Sequence, residues 1–230
     1  MALIVLEGLD GAGKSTQVNK LQQMLASCGI GYEYLHFPRF DAPVYGELIA
    51  RFLRGELGAV GAVDPYIVAL LYAGDRADAA PMIRGWLDAG KCVILDRYVY
   101  SNVAYQCAKI SDQEEQKKLR DWIVDLEYGY HRIPRPDVSI FLDVPFDFTR
   151  RKLEENRQGT DREYLHGQQD IHEASLTLQQ RVREVYLAQT AYDDRFRIVS
   201  CVGSDGGMLP PETIFTRIEA EVKPFLPMKK

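Results

Sequence analysis

Gly8-Leu9-Asp10-Gly11-Ala12-Gly13-Lys14-Ser15 has the spacing of a phosphate cradle, with glycines followed by a lysine and a hydroxyl. Such glycines let backbone N–H groups curl around phosphate oxygens. Lys14 can reach the β- and γ-phosphates, Ser15 can hold Mg²⁺, and a helix starting here adds partial positive charge. Gly8, Gly11, Ala12, Gly13, Lys14, Ser15 and Thr16 are therefore the candidate nucleotide-binding residues. Further along, Phe37-Pro38-Arg39 and Asp96-Arg97-Tyr98 each follow an apolar run. Guanidinium forks suit phosphate oxygens, so Arg39 and Arg97 are candidates to grip a second phosphate. Asp96 resembles an acid that holds the Mg²⁺ shell or orients Arg97.

Tyr72 and Arg76 are four residues apart on a predicted helix and share a face. A ring beside a guanidinium can stack on a base and donate to its carbonyl. Asn102 and Tyr105, at i and i+3, offer an amide and a bulky wall. Spacing alone favours core packing for Tyr72 and Tyr105, with the base pocket as the functional alternative. Asn156–Gln169 is polar, punctuated by Gly159 and Gly167, and carries Arg157 and Arg162. An arginine-bearing loop between helices is what a closing lid needs. The next helix is predicted to start at Asp170, with Glu173 closing a capping box. Asp143 reads as structural. The four histidines (His36, His131, His166, His172) show no catalytic arrangement.

These residues need a scaffold, and the apolar runs supply one. Leu3–Leu6, Tyr32–Phe37, Cys92–Leu95, Val138–Leu142 and Phe196–Ser200 read as strands. The segments between them are too long for hairpins and carry helical periodicity, as at Val18, Leu21, Leu25 and Cys28. Alternating β and α predicts a P-loop NTPase-type three-layer α/β fold. Its five-stranded parallel sheet would have helices on both faces, plus a lid. Ligands of such sheets bind at the carboxyl ends of the strands, where Arg39, Asp96 and Arg97 fall. Extra helices over Val44–Leu53 and Pro65–Ala89 suggest a second binding wall, and Arg54–Asp64 reads as a Gly-rich loop.

The chain has 230 residues, 46% hydrophobic and 27% charged, enough to bury one large core. A net charge of −5 gives no general pull toward nucleic acid. Cys28, Cys92, Cys107 and Cys201 lack metal-ligand spacing and read as reduced thiols. The N-terminal apolar run meets Glu7 and Asp10 too soon for a signal peptide, and no run is long enough for a membrane helix. A cytoplasmic protein with no nucleic-acid or membrane partner is expected.

A guanine-reading Asn-Lys-x-Asp is absent, which argues against a GTPase. What remains is a small ATP-dependent phosphoryl transferase with room for a second substrate. Taken in order, the motifs resemble those of the thymidylate kinase family over essentially the whole chain, 1–230, as a single domain. They are Glu7 to Thr16, Phe37-Pro38-Arg39, Leu71-Tyr72-Ala73-Gly74-Asp75-Arg76, Leu95-Asp96-Arg97-Tyr98 with Ser101, Asn102 and Tyr105-Gln106, and Asp170-Ile171-His172-Glu173. The resemblance implies γ-phosphoryl transfer from MgATP to dTMP in dTTP synthesis, and usually a homodimer. Arg76 and Asn102 would read thymine, Tyr72 would stack, and Tyr105 would disfavour a ribose 2′-OH. Ser101 joins the expected substrate residues. Arg39 and Arg97 would grip the dTMP phosphate, and Asp10 would accept from the 3′-OH or orient Arg39. With Gly11 where some members carry arginine, the lid arginines would cover the transferring phosphoryl. Arg157 and Arg162 are the candidates, with Arg150 and Arg151 as alternatives. The rival readings are a deoxynucleoside kinase, with Glu7 recruited as base, a kinase for another nucleotide, and a non-catalytic ATP-binding protein.

Overall fold

All five apolar runs form strands: β1 (Leu3–Gly8), β2 (Tyr32–His36), β3 (Cys92–Asp96), β4 (Val138–Asp143) and β5 (Phe196–Ser200). In the computed structural model, which describes residues 1–154, 160–168, 170–173 and 175–227, they pair in parallel in the order β2-β3-β1-β4-β5. β1 and β3 are buried along their whole length, as central strands covered on both faces must be. The edge strand β2 is partly exposed throughout.

The helices are α1 (Lys14–Ser27), α2 (Tyr45–Leu53), α3 (Pro65–Asp88), α4 (Val99–Cys107), α5 (Gln113–Val124), α6 (Phe146–Glu154), α7 (Leu176–Ala188) and α8 (Pro211–Val222). Alternation along β1 divides the core into two layers. Ile4 and Leu6 pack with Val18, Leu21 and Leu25 of α1 and with Ile214 and Ile218 of α8. Leu3 and Val5 pack with Ala79 and Ile83 of α3, Val103 of α4 and Ile123 of α5. The sheet is thus sandwiched, and all five strand C-termini share one edge.

Two local features bear on that edge. α5 runs on into a π-helical turn, Asp125–Tyr130, which carries the fully buried Glu127. Gly46, in the first turn of α2, lets that helix press on the Arg39–Phe40 backbone. A Cβ at this position would lie 2.5 Å from the Phe40 carbonyl oxygen and 2.6 Å from that of Arg39.

One predicted boundary needs correction. α7 begins at Leu176, where Ser175 Oγ accepts from the Leu178 N–H at 3.2 Å, and not at Asp170. Asp170 does accept from the N–H groups of His172 (2.8 Å) and Glu173 (3.4 Å). The Ile171 N–H donates to the Leu53 carbonyl at 2.9 Å, tying this segment to the end of α2, and residues 171–173 stay a turn. Cys92, Cys107 and Cys201 are buried free thiols, and Cys28 is half-buried. Among the described residues no helix is long and apolar enough to cross a membrane.

Candidate active site

A cavity of about 1130 Å³ opens at the shared strand edge, larger than the usual site for one small ligand. The loop after β1 forms its floor. Lys14 Nζ donates to the carbonyls of Gly8 (3.4 Å) and Leu9 (3.2 Å) and lies 4.0 Å from Asp96 Oδ1. Burial lowers the Lys14 pKa, against the pull of Asp96 and Asp10. Gly11, Ala12, Gly13, Ser15 and Thr16 line the same space, and Ser15 and Thr16 are exposed.

Arg97 occupies the first position after β3 with a left-handed backbone, φ 67°. Its Nη2 donates to Asp10 Oδ1 at 2.7 Å and its Nη1 to Ser101 Oγ at 3.2 Å, and its guanidinium lies over the Tyr105 ring. Asp10 Oδ2 also accepts from Tyr105 Oη (2.6 Å) and Gln179 Nε2 (3.0 Å). Burial opposes the Asp10 carboxylate, but Arg97 and Lys14 outweigh it and hold its pKa well below the usual carboxylate range. Behind this network Glu7 is fully buried. It accepts from the Tyr98 N–H (3.0 Å), Ser101 Oγ (2.6 Å) and Tyr186 Oη (3.0 Å), and burial raises its pKa.

At another wall of the cavity Arg76 is buried and forked onto Glu127, Nε at 2.5 Å and Nη2 at 2.6 Å. Burial alone would depress the Arg76 pKa, but Glu127 reverses this and keeps the group charged. Asn102 Nδ2 donates to Glu127 Oε1 and to the Ala69 carbonyl, both at 3.0 Å. Two acceptors on one side fix the amide sense. Asn102 Oδ1 is left buried with no hydrogen-bond partner among the described residues. Tyr72 also lines this cavity, and burial raises its pKa.

Comparison with known proteins assigns the fold and the family. The thymidylate kinase family model matches residues 6–204. The chain belongs to the thymidylate kinase family. It is 35% identical over 199 residues to the thymidylate kinase of Mycobacterium tuberculosis, covering 86% of this chain and 90% of that one. It is 32% identical over 230 residues to a probable thymidylate kinase of Thermococcus kodakarensis, covering 97% and 98%. The solved thymidylate kinase of Candida albicans superposes with a TM-score of 0.73 at 25% identity, over 97% of this chain and 92% of that one.

Most of the site residues expected for the family fall together around the cavity: Asp10, Lys14, Arg39, Tyr72, Arg76, Asp96, Arg97, Ser101, Asn102 and Tyr105 all line it. The structure corrects two orientations. Asp10 bonds Arg97, whereas Arg39 is held by Asp75 (Nε at 2.8 Å) and Asp78 (Nη2 at 2.6 Å). Arg97 is oriented by Asp10 and Ser101, with no hydrogen bond to Asp96 among the described residues. Asp143 pairs with Arg183 through both oxygens, as a structural residue does. Arg157 and the side chain of Arg162 lie outside the described residues. Arg150 pairs with Asp147 at 3.0 Å, Arg151 is exposed, and neither lines the cavity. Sequence reading missed Glu127, Gln179 and Asp78 and gave Asp75 no role beyond its motif, although these groups hold the named side chains in place.

Proposed function

We propose that this cavity is where the chain transfers the γ-phosphoryl of ATP to dTMP, giving dTDP and ADP, and that residues 1–230 act as one catalytic unit. dTMP phosphorylation with ATP as donor is the activity of the thymidylate kinase family, and the residues fit it. The observation that carries the assignment of roles is continuity: one cavity runs from the Lys14 loop past Arg97 to Arg76 and Asn102. Phosphate oxygens would lie on the loop amides and Lys14, and Arg39 and Arg97 would hold the acceptor phosphate. Asn102 Oδ1 would accept from thymine N3–H while Arg76 donates to a ring carbonyl. Cytosine has no N3–H and carries an amine in place of the 4-carbonyl.

The nucleophile needs no strong base, because the second pKa of a phosphate monoester is about 6 and dTMP is largely a dianion at neutral pH. A deoxynucleoside kinase must instead deprotonate a neutral 5′-OH. Glu7, the sequence candidate for that task, has both oxygens committed inside the core. Catalysis is then alignment plus charge neutralisation.

Mg²⁺ fits the residues present. Asp96 Oδ1 is buried with no hydrogen-bond partner among the described residues, and the Ser15 hydroxyl is exposed in the same cavity. Mg²⁺ usually keeps several waters and takes one or two protein oxygens plus phosphate, so Ser15 and Asp96 would suffice. When bound it would neutralise phosphate charge. A homodimer is part of the same reading, supported by Ile67 and Leu70 exposed on α3.

An ADP-release assay over dTMP, dUMP, dCMP, dGMP, UMP and thymidine tests the assignment. dTMP should lead, and dCMP should fall behind by about 10⁴ because its amine and ring nitrogen leave buried groups unpaired. dUMP should remain a poorer substrate, since one methyl is worth about 1–3 kcal/mol. Equal use of dCMP would refute the roles given to Arg76 and Asn102. For the lid, Arg157→Ala or Arg162→Ala is expected to lower kcat by about 10² or more with little change in dTMP affinity. Losses below about fivefold in both variants would remove the lid arginines from the reaction.

A further inference from the structure

Gln106 lies one helical turn beyond Asn102 on α4, fully buried and lining the same cavity. Its amide has two unlike ends. Oε1 accepts from Lys109 Nζ at 2.7 Å, and Nε2 is buried with no hydrogen-bond partner among the described residues. An amide can be turned end for end, so its sense is decided by its partners. An ammonium donates only, and therefore the atom facing Lys109 must be the oxygen. Lys109 is held in an apolar setting, 4.9 Å from the Phe52 ring centroid, and is itself outside the cavity lining.

We propose that Lys109 is a positioning residue for substrate choice: by binding Gln106 Oε1 it leaves the Gln106 N–H₂ at the cavity wall as a donor. This rests on the cavity being the dTMP site. A donor there suits the carbonyls of thymine and opposes the exocyclic amine of a 4-aminopyrimidine, which is also a donor. Without the ammonium the amide is free to turn and present an acceptor to that amine. Lys109 thereby acts on the base at one remove, as Glu127 does through Asn102.

The test is Lys109→Met, compared with wild type and Lys109→Arg for kcat/KM on dCMP and dTMP. Burial lowers the Lys109 pKa to about 7, so the assay runs at about pH 6, where the group is a donor only. His172, the ionisable group that Lys109 influences, has its own pKa held well below the usual value by burial. Lys109→Met should raise the dCMP-to-dTMP ratio by about tenfold or more, while Lys109→Arg keeps the wild-type ratio. In a Gln106→Met background, Lys109→Met should add nothing, because the group it positions is gone. If Lys109→Met does not fold, Lys109→Gln replaces it, with a relaxed ratio expected again. A ratio that moves by less than about twofold, with dTMP turnover intact, overturns the proposal. So does a shift that persists without the Gln106 amide. Wild-type protein that leaves dTMP unphosphorylated would instead sink the reading of the cavity itself.

Discussion

Arg97→Ala is expected to lower kcat for dTMP phosphorylation by about three orders of magnitude in a protein that still folds. The residue sits where β3 meets the nucleotide loop, with one nitrogen on Asp10 and another on Ser101. A guanidinium held by two partners and stacked on a ring need not reorganise as charge develops on the transferring group. Removing it also strips Asp10 of the stronger of the two cations that keep it ionised, so the pH dependence of turnover should change with the rate. Arg97→Lys restores charge but not the planar fork, and should recover only part of the loss. Steady-state and single-turnover kinetics decide the matter. A kcat within about fivefold of wild type would place phosphoryl transfer elsewhere.

The largest structural effect is expected at a residue that touches neither phosphate. Glu127→Ala leaves the Arg76 guanidinium buried without its counter-charge, and breaking such a pair costs about 3–5 kcal/mol. For a chain of this size each kcal/mol moves Tm by about 2–4 °C, so a fall of roughly 10 °C is expected. The same change removes one of the two acceptors that hold the Asn102 amide, leaving the Ala69 carbonyl, and should raise KM for dTMP more than it lowers kcat. Glu127→Gln keeps the shape and should show a smaller fall in Tm with a similar KM effect. A melting temperature unchanged in Glu127→Ala would mean that Arg76 finds another partner.

What could be read from the sequence was whatever depends on neighbours along the chain. Strand β1, the loop to Ser15 and the start of α1 form one contiguous string, and all five strands announced themselves as apolar runs. Arg39 and Arg97 could be placed because they follow strand ends in sequence. The supports of these groups could not, since they arrive from afar. Glu127 meets Arg76 across 51 positions, from a π-helical turn that no simple periodicity marks. Gln179 reaches Asp10 across 169 positions. The false helix start at Asp170 shows how far a local signal reaches: its capping bonds form, but the turn is tied to Leu53 at the end of α2, and the helix starts only at the Ser175 cap.

Arginine at position 97 has a bearing on attempts to make this enzyme more heat-tolerant. A non-glycine residue held at φ 67° costs about 1–3 kcal/mol. One charge-assisted hydrogen bond, such as that to Asp10, returns about 1.5–3 kcal/mol. Glycine would remove that strain together with the bonds to Asp10 and Ser101 and the ring contact with Tyr105, leaving the Asp10 carboxylate without the stronger of its counter-charges. Backbone relief alone is therefore the wrong criterion at this position, and a stabilisation campaign has to leave it untouched if turnover is to survive.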